Sequence, residues 1–268
     1  MMNLADKRPD KVYVAAHRGW YNKYPENTMP AFRAAVELGV DQVETDVRIS
    51  ADGELVLIHD ATLERTTNGT GKVIDKTLAE LRALDAGVWK SLEFKGYQIP
   101  TFKEFMEYFA TVPNMTLDIE LKEYPTEGHE EIAYSVCDRV LAMIDEYGYT
   151  DKCVINTFSG KLHEYIQKKY GNKYRRHVYY PIKHLGELTE DPYADAYCCC
   201  MFSTEKGLPM ATAEEFAEMA ARGVRPWAGA GVKTFEQVDQ AIACGAELIT
   251  CNNPDVVLEA LRRRGYHD

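Results

Sequence analysis

Short runs of apolar and β-branched residues alternate along the chain with longer runs in which apolar residues recur every three or four positions. The first pattern is typical of buried strands, and the second is typical of amphipathic helices. Residues 12–17 (VYVAAH) are a predicted strand. Residues 27–39 (NTMPAFRAAVELG) are a predicted helix, with Asn27 or Thr28 as its N-cap and Gly39 at its end. Strands that alternate with helices in this way form βα units and a parallel sheet.

About eight strands of this kind follow one another, which is close to the number and length of a (β/α)8 barrel. The predicted strands are 12–17, 41–49, 54–60, 115–122, 152–158, 175–182, 224–230 and 247–252, and a further apolar run lies at 196–202. The predicted helices are 27–39, 77–84, 101–110, 129–148, 160–170, 212–223, 234–245 and 254–265. A doubly wound open sheet also fits the alternation, but no Gly-x-Gly-x-x-Gly follows the first strand. We therefore predict the α/β class and a (β/α)8 TIM barrel.

One segment departs from this repeat. The stretch from residue 60 to residue 100 is too long for a loop between a strand and a helix, and it carries turn signals that contain glycine. We predict that approximately residues 60–110 hold a small subdomain inserted after the His59-Asp60 strand, on the side of the barrel where the strands end. Because no linker rich in Pro, Gly and Ser divides the chain, residues 1–268 are predicted to form a single domain.

Two carboxylates, Glu44 and Asp46, stand two residues apart in the otherwise apolar strand 41–49. Side chains alternate between the faces of a strand, so these two share one face, where their charges repel unless a cation lies between them. Glu120 is placed in the same way in strand 115–122, and the carboxyl ends of barrel strands meet at one rim. Oxygen ligands without a Cys or His cluster suit Mg²⁺ or Ca²⁺. Salt bridges to nearby Lys or Arg are the structural alternative for the acidic pair alone.

Two histidines and two cations stand at the same predicted rim. His17 and Arg18 end the first strand, His59 ends the run 54–60, and Lys122 follows Glu120. Alone, each could be a hydrogen-bonded strand end or a solvated side chain, but their convergence favours a site. We expect the planar guanidinium of Arg18 to clamp a phosphate and Lys122 to add a point charge. The ordinary histidine pKa of about 6.5 suits a general base and a general acid. Metal-assisted cleavage of a phosphodiester is the predicted chemistry.

Composition limits the partners of the protein. Forty-two acidic and 31 basic residues give a formal net charge of −11, which argues against nucleic acid while allowing a small anionic substrate. No run approaches the roughly 18 apolar residues of a membrane span, and the first residues lack a signal-peptide pattern, so we expect a cytoplasmic protein without stable membrane insertion. Seven cysteines without a Cys-x-x-Cys pair indicate reduced thiols. Periodicity leaves the oligomeric state undetermined.

A series of short motifs resembles the glycerophosphodiester phosphodiesterase family. In chain order the motifs are His17-Arg18-Gly19, Pro25-Glu26-Asn27-Thr28, Glu44-Thr45-Asp46, His59-Asp60, Leu63-Glu64-Arg65-Thr66-Thr67-Asn68-Gly69, Ile99-Pro100-Thr101-Phe102 and Glu120-Leu121-Lys122. The resemblance is dense over about residues 12–122 and thin over 123–223. It implies a TIM barrel of the phospholipase-C-like kind with a small insertion. It also implies hydrolysis of deacylated phospholipids, such as glycerophosphocholine, to an alcohol and glycerol 3-phosphate with a divalent ion.

The same resemblance implies roles for individual residues. Glu44, Asp46 and Glu120 would bind the metal. His17 and His59 would perform acid–base catalysis, and Arg18 and Lys122 would contact the phosphate or substrate; the list of predicted site residues is His17, Arg18, Glu44, Asp46, His59, Glu120, Lys122 and Trp227.

The C-terminal part departs from the family pattern in two places. Where the family usually shows Trp-Thr and then Asn, this chain has Trp227-Ala228-Gly229-Ala230, and where it usually shows Thr-Asp before a proline, this chain has Thr250-Cys251-Asn252-Asn253-Pro254. We expect Trp227 to line the glycerol pocket, with packing inside the barrel as the alternative. A lost hydroxyl and amide remove hydrogen bonds to the substrate, each typically worth about 1 kcal/mol. The head-group preference is therefore left open.

Three other functions are alternatives to glycerophosphodiester hydrolysis. In a lyase-like phospholipase or phosphodiesterase, a substrate hydroxyl attacks and a cyclic phosphate leaves; Trp20, Tyr21 and Tyr24 could then form an apolar rim, although walling the pocket is the simpler interpretation. A non-catalytic barrel that binds a phosphorylated ligand would lack a histidine or a metal carboxylate, and none is missing. A metal-dependent sugar isomerase leaves Arg18 and Lys122 without a purpose.

Overall fold

The described strands form one sheet that closes into a barrel. The computed structural model describes Leu4 and residues 10–268. Within these residues the strands are β1 (Tyr13–Ala16), β2 (Gln42–Ile49), β3 (Leu55–Leu57), β4 (Thr116–Leu121), β5 (Cys153–Asn156), β6 (Arg175–Tyr180), β7 (Cys198–Met201), β8 (Arg225–Ala228) and β9 (Leu248–Cys251). All neighbours pair in parallel except β2 and β3, and the pairing of β1 with both β2 and β9 closes an eight-stranded barrel. The predicted (β/α)8 barrel is confirmed.

Helices connect the barrel strands and cover them from outside. The helices are α1 (Met29–Leu38), α2 (Leu78–Arg82), α3 (Phe102–Phe109), α4 (Glu130–Glu146), α5 (Gly160–Tyr170), α6 (Ala213–Ala221), α7 (Phe235–Cys244) and α8 (Pro254–Arg264). Except in α2, their apolar residues pack against the outward faces of the strands in the main core. None of the described helices is long and apolar enough to cross a membrane.

The predicted strand 54–60 does not belong to the barrel, and only Leu55–Leu57 is a strand. This strand, β3, runs antiparallel to β2, with Leu57 opposite Val47. The connection between β2 and β3 is a tight turn, and a parallel pair would need a crossover of about a dozen residues or more. The reversal has a functional consequence, because β3 returns along the end of β2 and carries His59 to the cavity at the barrel rim.

Strand β3 and the residues after it contribute to a small, separate apolar cluster. Its buried members are Val56, Ile58, Leu63, Val73, Leu81, Ala86 and Ile99. Helix α3 follows, and its Phe102, Phe105 and Phe109 lie in the main core, so this helix covers the barrel although the predicted insertion extended to about residue 110. The division into one domain with an inserted subdomain stays a prediction.

Side-chain alternation in the strands separates an inner core from the outer one. Tyr13, Val154, Cys198, Trp227 and Leu248 fill the inner core of the barrel. Their layer lies beneath the polar cavity. In the run of three cysteines, Cys198 lies in the inner core, Cys199 lies in the main core and Cys200 lines the cavity. All seven cysteines lie in the described residues, and each is a free thiol.

His163 is a buried histidine of α5 on the outside of the barrel. It is 1% exposed, and its Nε2 lies 3.0 Å from the carbonyl oxygen of Thr157, which accepts a hydrogen bond. Burial, followed by the charge of Arg176, lowers the pKa of His163 from 6.5 to about 3. The folded protein therefore keeps this imidazole neutral at pH values where the unfolded chain protonates it.

We expect His163 to make the fold less stable in acid. As pH falls below about 6.5 the unfolded state binds a proton first, so the free energy of unfolding decreases until pH nears the folded pKa of about 3. In the His163→Gln variant the loss between about pH 6 and pH 4 should be smaller by up to about 1.4 kcal/mol per pH unit. Urea unfolding of both proteins across this range measures the slopes. Equal slopes would contradict the assignment.

Candidate active site

A cavity of about 230 Å³ opens at the carboxyl ends of the barrel strands. Six of the predicted site residues line it, namely His17, Arg18, Glu44, His59, Glu120 and Lys122. They arrive from β1, β2, β4 and the segment after β3. In the register of the sheet, Glu44 stands opposite Asp118 and Asp46 stands opposite Glu120, so the even spacing in both strands brings the acids to the inner face.

Glu44, Asp46 and Glu120 form a compact buried cluster. Each contributes one carboxylate oxygen to a group whose members all lie within 4.8 Å of one another. All three side chains are nearly inaccessible to solvent. Burial and then the charges of Asp46 and Glu120 raise the pKa of Glu44 well above its usual range. Burial also raises the pKa of Glu120, to about 7. Glu44 and Glu120 are therefore harder to ionise than ordinary carboxyl groups.

Two cations flank this cluster. Lys122 forms an ion pair with Glu120, and its Nζ lies 3.2 Å from Oδ1 of Asp46. The Nε of Arg18 lies 3.2 Å from Oδ2 of Asp46, and the Asn27 side-chain amide donates a 2.7 Å hydrogen bond to the same oxygen. Burial raises the pKa of Asp46, but the charges of Lys122 and Arg18 outweigh burial and hold it below the usual range. Asp46 is therefore an ionised carboxylate at neutral pH.

The donor set fits a divalent cation with a preference for oxygen ligands. Oε2 of Glu44 accepts a 2.8 Å hydrogen bond from the backbone N–H of Arg18, whereas Oε1 is buried and has no hydrogen-bond partner among the described residues. A buried carboxylate oxygen without a partner is destabilising unless it coordinates an ion. Three carboxylates and no thiolate or imidazole in the cluster match the ligand chemistry of Mg²⁺ and Ca²⁺.

His17 is held by an amide from the far end of the chain. Its Nδ1 lies 2.6 Å from Oδ1 of Asn252, and its Nε2 lies 3.9 Å from Oε2 of Glu44. Because the amide oxygen accepts, Nδ1 carries the hydrogen and Nε2 keeps its lone pair. Burial and then the charge of Arg18 lower the pKa of His17 to about 4. The imidazole is thus neutral at pH 7.

His59 is held by a carboxylate instead. Its Nδ1 lies 2.6 Å from Oδ1 of Asp60, and Arg65 donates to the other oxygen of Asp60 at 2.6 Å. Arg65 also donates to both oxygens of Glu26, at 2.6 and 2.8 Å, and Glu26 accepts a 2.8 Å hydrogen bond from Arg18. Burial, with the charges of Lys122 and Arg18, lowers the pKa of His59. This chain of ion pairs connects the two sides of the cavity.

Some of these supporting residues have roles that the sequence alone does not indicate. Glu26 and Arg65 lie in motifs of the family resemblance, yet only their positions in the structure show that they orient Arg18 and Asp60. Asp118 shares the even spacing of Glu120 and lines the floor of the cavity together with Asn156 and His177. The motifs contain Glu26 and Arg65 and could have indicated them. Asn156 and His177 lie outside the part of the chain where the resemblance is dense.

Trp227 does not occupy the predicted position on the wall of the cavity. It is fully buried in the inner core, and the residues of this segment that line the cavity are Gly229 and Ala230. Side chains two positions apart on a strand point to the same face but lie about 7 Å apart along it, so Trp227 falls one layer too deep. The alternative of barrel packing describes its position, and its contact with substrate is not supported.

The turn after β1 depends on Gly19. Arg18 and Gly19 both have positive φ angles, of 58° and 81°. A Cβ added at Gly19 would lie 2.8 Å from the backbone carbonyl carbon of Ala31 in α1. The absence of a side chain therefore lets α1 approach the turn that presents His17 and Arg18.

We expect Gly19→Ala to reduce both stability and turnover. The left-handed conformation and the contact with Ala31 are both unfavourable for alanine, with an expected loss of about 1–3 kcal/mol. Displacement of Arg18 should lower the specificity constant for a phosphodiester as well. Urea unfolding and steady-state kinetics measure the two effects. Gly71→Ala, at a glycine with a positive φ angle and open space around it, is the matched control for strain without a clash. Equal results for the two variants would contradict the role of close approach.

The amino-acid sequence matches a known protein family over most of its length. The sequence profile of the Glycerophosphoryl diester phosphodiesterase family matches residues 17–255. The chain belongs to this family. The family resemblance predicted from the motifs is therefore confirmed.

Individual relatives extend the comparison. A glycerophosphodiester phosphodiesterase of Caldanaerobacter subterraneus subsp. tengcongensis is 32% identical over 261 residues, which cover 95% of this chain and 100% of the relative. One from Bacillus altitudinis is 37% identical over 147 residues, which cover 54% of this chain and 57% of the relative. The family and these relatives make the chain a phosphodiesterase.

Solved structures of similar proteins share the fold. The structure of an Oleispira antarctica phosphodiesterase in complex with the product sn-glycerol-3-phosphate superposes with a TM-score of 0.77 at 25% identity, over 93% of this chain and 96% of that one. A glycerophosphodiester phosphodiesterase from Agrobacterium tumefaciens gives a TM-score of 0.73 at 25% identity, over 92% of this chain and 98% of that one. The barrel and its closure are common to these proteins.

Proposed function

We propose that this enzyme hydrolyses glycerophosphodiesters, the deacylated phospholipids, to an alcohol and sn-glycerol 3-phosphate. The observation that carries the proposal is the buried cluster of Glu44, Asp46 and Glu120, of which Glu44 and Glu120 line one cavity with His17 and His59. The product bound to the Oleispira antarctica relative supports glycerol 3-phosphate as the common part of the substrate. A cytoplasmic location and the absence of a nucleic-acid partner stay predictions from composition.

The three carboxylates would hold one divalent cation, Mg²⁺ or Ca²⁺. Bound there, the ion would supply positive charge that polarises a phosphoryl oxygen and stabilises the charge of the transition state. Arg18 and Lys122 already hold Asp46 ionised, which prepares one strong ligand. The unpartnered oxygen of Glu44 supplies a second.

Arg18 and Lys122 bind the phosphate in this proposal. Glu26 and Asp46 hold the guanidinium of Arg18 from two sides, so its plane is fixed before the substrate arrives. Lys122 contacts Asp46 and Glu120 and places its ammonium group in the cavity wall. Preorganised cations of this kind stabilise the charge of a phosphoryl group without reorganisation during the reaction.

The two histidines divide the proton transfers according to their partners. The neutral amide of Asn252 holds Nδ1 of His17 and leaves Nε2 able to accept a proton, so His17 serves as the general base. The carboxylate of Asp60 opposes the effect of burial on the pKa of His59 and favours its protonated ring with a negative charge that the neutral amide of Asn252 does not give His17, so His59 serves as the general acid for the leaving alcohol. Hydrolysis needs a water activated by the base, whereas the cyclic-phosphate route uses a hydroxyl of the substrate in its place.

We expect Arg18→Lys to lower the specificity constant for glycerophosphocholine by about 10- to 100-fold. Lysine keeps the charge, but it loses the planar donor that Glu26 and Asp46 orient, and hydrogen bonds to charged groups are worth about 1.5–3 kcal/mol. Steady-state kinetics measure the effect. Arg33→Lys is a matched control, because Arg33 stacks over Tyr108 on an exposed part of α1. Wild-type kinetics in Arg18→Lys would contradict phosphate clamping.

Release of glycerol 3-phosphate tests the proposed function directly. Glycerophosphocholine and glycerophosphoethanolamine would be supplied with EDTA, or with added Mg²⁺, Ca²⁺ or Mn²⁺. We expect release that depends on the metal and stops with EDTA. Phosphorus NMR of the products separates hydrolysis from a cyclic phosphate, which would show the lyase-like route. No release with any of these metals would contradict the proposal.

A further inference from the structure

A buried polar network forms the floor of the catalytic cavity and is separate from the proposed catalytic groups. Asp118 lies at its centre, with Oδ1 accepting a 2.7 Å hydrogen bond from the amide of Asn156 and Oδ2 lying 2.8 Å from Nδ1 of His177. The hydroxyl of Tyr179 donates to the amide oxygen of Asn156 at 2.9 Å. Every member is at least nine-tenths buried, and all four line the cavity.

The network determines which ring nitrogen of His177 carries hydrogen. The carboxylate of Asp118 accepts a hydrogen bond from Nδ1, so Nε2 is the ring nitrogen left for a ligand, and in the neutral ring it is an acceptor. Nε2 is buried and has no hydrogen-bond partner among the described residues, although His177 lines the cavity and is 3% exposed. Buried polar atoms without a partner are rare in folded proteins and call for a missing partner.

A second unpartnered atom belongs to the same cavity. Oγ1 of Thr250, in β9, is buried and also has no hydrogen-bond partner among the described residues. A hydroxyl can donate or accept, whereas Nε2 of His177 in this tautomer only accepts. The cavity thus offers an acceptor and an adaptable hydroxyl, which suit the hydroxyl groups of a ligand.

The depth of the Asp118–His177 network matches the glycerol end of a substrate held at the rim. Asp118 precedes Glu120 by two residues on the inner face of β4, which places its layer about 7 Å deeper in the barrel. Beneath this layer Trp227 packs against the ring of His177, with the ring centroids 4.9 Å apart, and the apolar inner core closes the cavity. A group attached to the phosphate can therefore reach the floor but go no further.

We propose that His177 and Thr250 form a hydroxyl-binding subsite that recognises the glycerol moiety of the substrate. Nε2 of His177 accepts a hydrogen bond from one glycerol hydroxyl, and Oγ1 of Thr250 pairs with the same hydroxyl or its neighbour. Asp118 is a positioning residue that holds the imidazole in the accepting tautomer. This inference rests on the proposed function, because it assumes that the phosphate lies among the cations and carboxylates at the rim.

A pair of substrates tests the subsite. Glycerophosphocholine would be compared with propyl phosphocholine, which keeps the phosphodiester and the head group but lacks both glycerol hydroxyls. In the wild-type enzyme we expect the specificity constant to favour glycerophosphocholine by about 10- to 100-fold, since unpaired polar groups in the cavity disfavour the analogue. In Thr250→Val and His177→Phe this preference should fall by about tenfold or more, mainly through a higher KM for glycerophosphocholine.

Conservative and alternative variants keep the test decisive. Thr250→Ser retains a hydroxyl and should retain the preference for glycerophosphocholine. If His177→Phe fails to fold, as judged by circular dichroism, Thr250→Val and Thr250→Ser carry the comparison. An unchanged preference in Thr250→Val, or a wild-type enzyme that cleaves both substrates equally well, overturns the subsite while leaving the proposed function standing. Failure of the wild-type enzyme to cleave either substrate with any metal overturns both.

Discussion

Glu44→Gln is expected to abolish metal-dependent turnover while the barrel stays folded. Glu44 contributes a buried oxygen that no protein group satisfies, and its neighbours in the cluster are Asp46 and Glu120. Replacing the carboxylate by an amide removes a charged ligand. Loss of a residue that only hydrogen-bonds to a metal ligand typically lowers metal affinity by about 10- to 100-fold, and loss of the ligand itself should lower it further. Calorimetric titration with Mg²⁺ or Ca²⁺ measures the affinity, and glycerol 3-phosphate release measures turnover.

Thermal unfolding of Glu44→Gln should show whether Glu44 is a metal ligand. Without metal, Glu44→Gln should unfold at a higher temperature than the wild-type protein, because it removes a carboxylate whose ionisation burial and two neighbouring charges oppose. Added metal should raise the midpoint of the wild-type protein much more than that of the variant, since ligands stabilise the state that binds them. Glu54→Gln, at an exposed carboxylate of the same hairpin, is the control. Undiminished metal affinity in Glu44→Gln would exclude Glu44 as a ligand.

His17→Ala is expected to lower kcat by about 100- to 10,000-fold, which is the usual contribution of a positioned acid or base. His17 has the features of a base, because Asn252 holds Nδ1 and burial together with the charge of Arg18 keeps the ring neutral at pH 7. Metal affinity should be retained, because the carboxylate cluster does not include this side chain. Steady-state kinetics and calorimetric titration on the same preparation separate the two properties.

A control histidine lies outside the cavity. His129 contacts Glu123 at 2.8 Å and does not line the cavity, so His129→Ala should retain near wild-type turnover. Wild-type kcat in His17→Ala would remove His17 from the mechanism. Loss of metal binding in that variant would assign it a role in holding the ion instead.

Local patterns were sufficient to predict the barrel and the acidic cluster. The spacing of Glu44 and Asp46 determines that both side chains share a face, whatever the strand packs against. Glu120 joins them because parallel strands bring their carboxyl ends to one rim, and the register of β2 with β4 places it opposite Asp46. These features follow from the two-residue period of a strand and the topology of βα units, both of which can be read along the chain.

Other features depend on where the chain returns in space. The run 54–60 has the composition of a barrel strand, but the short turn after β2 forces β3 to pair in the antiparallel direction. Trp227 has the side chain of a pocket residue, but its depth in the barrel depends on how eight strands stagger around the closed sheet. Neither the direction of β3 nor the depth of Trp227 can be predicted from the neighbouring residues in the sequence.

Long-range partners are the largest group that the sequence alone could not assign. His17 and Asn252 are 235 residues apart, and the pairing of His177 with Asp118 spans 59 residues. The sequence by itself determined the fold class, the family and the acids and histidines at the rim, because these follow from short-range periodicity and compact motifs. Only the tertiary structure decided which neighbours hold those histidines and what forms the floor beneath them, because closure of the barrel brings distant strands side by side.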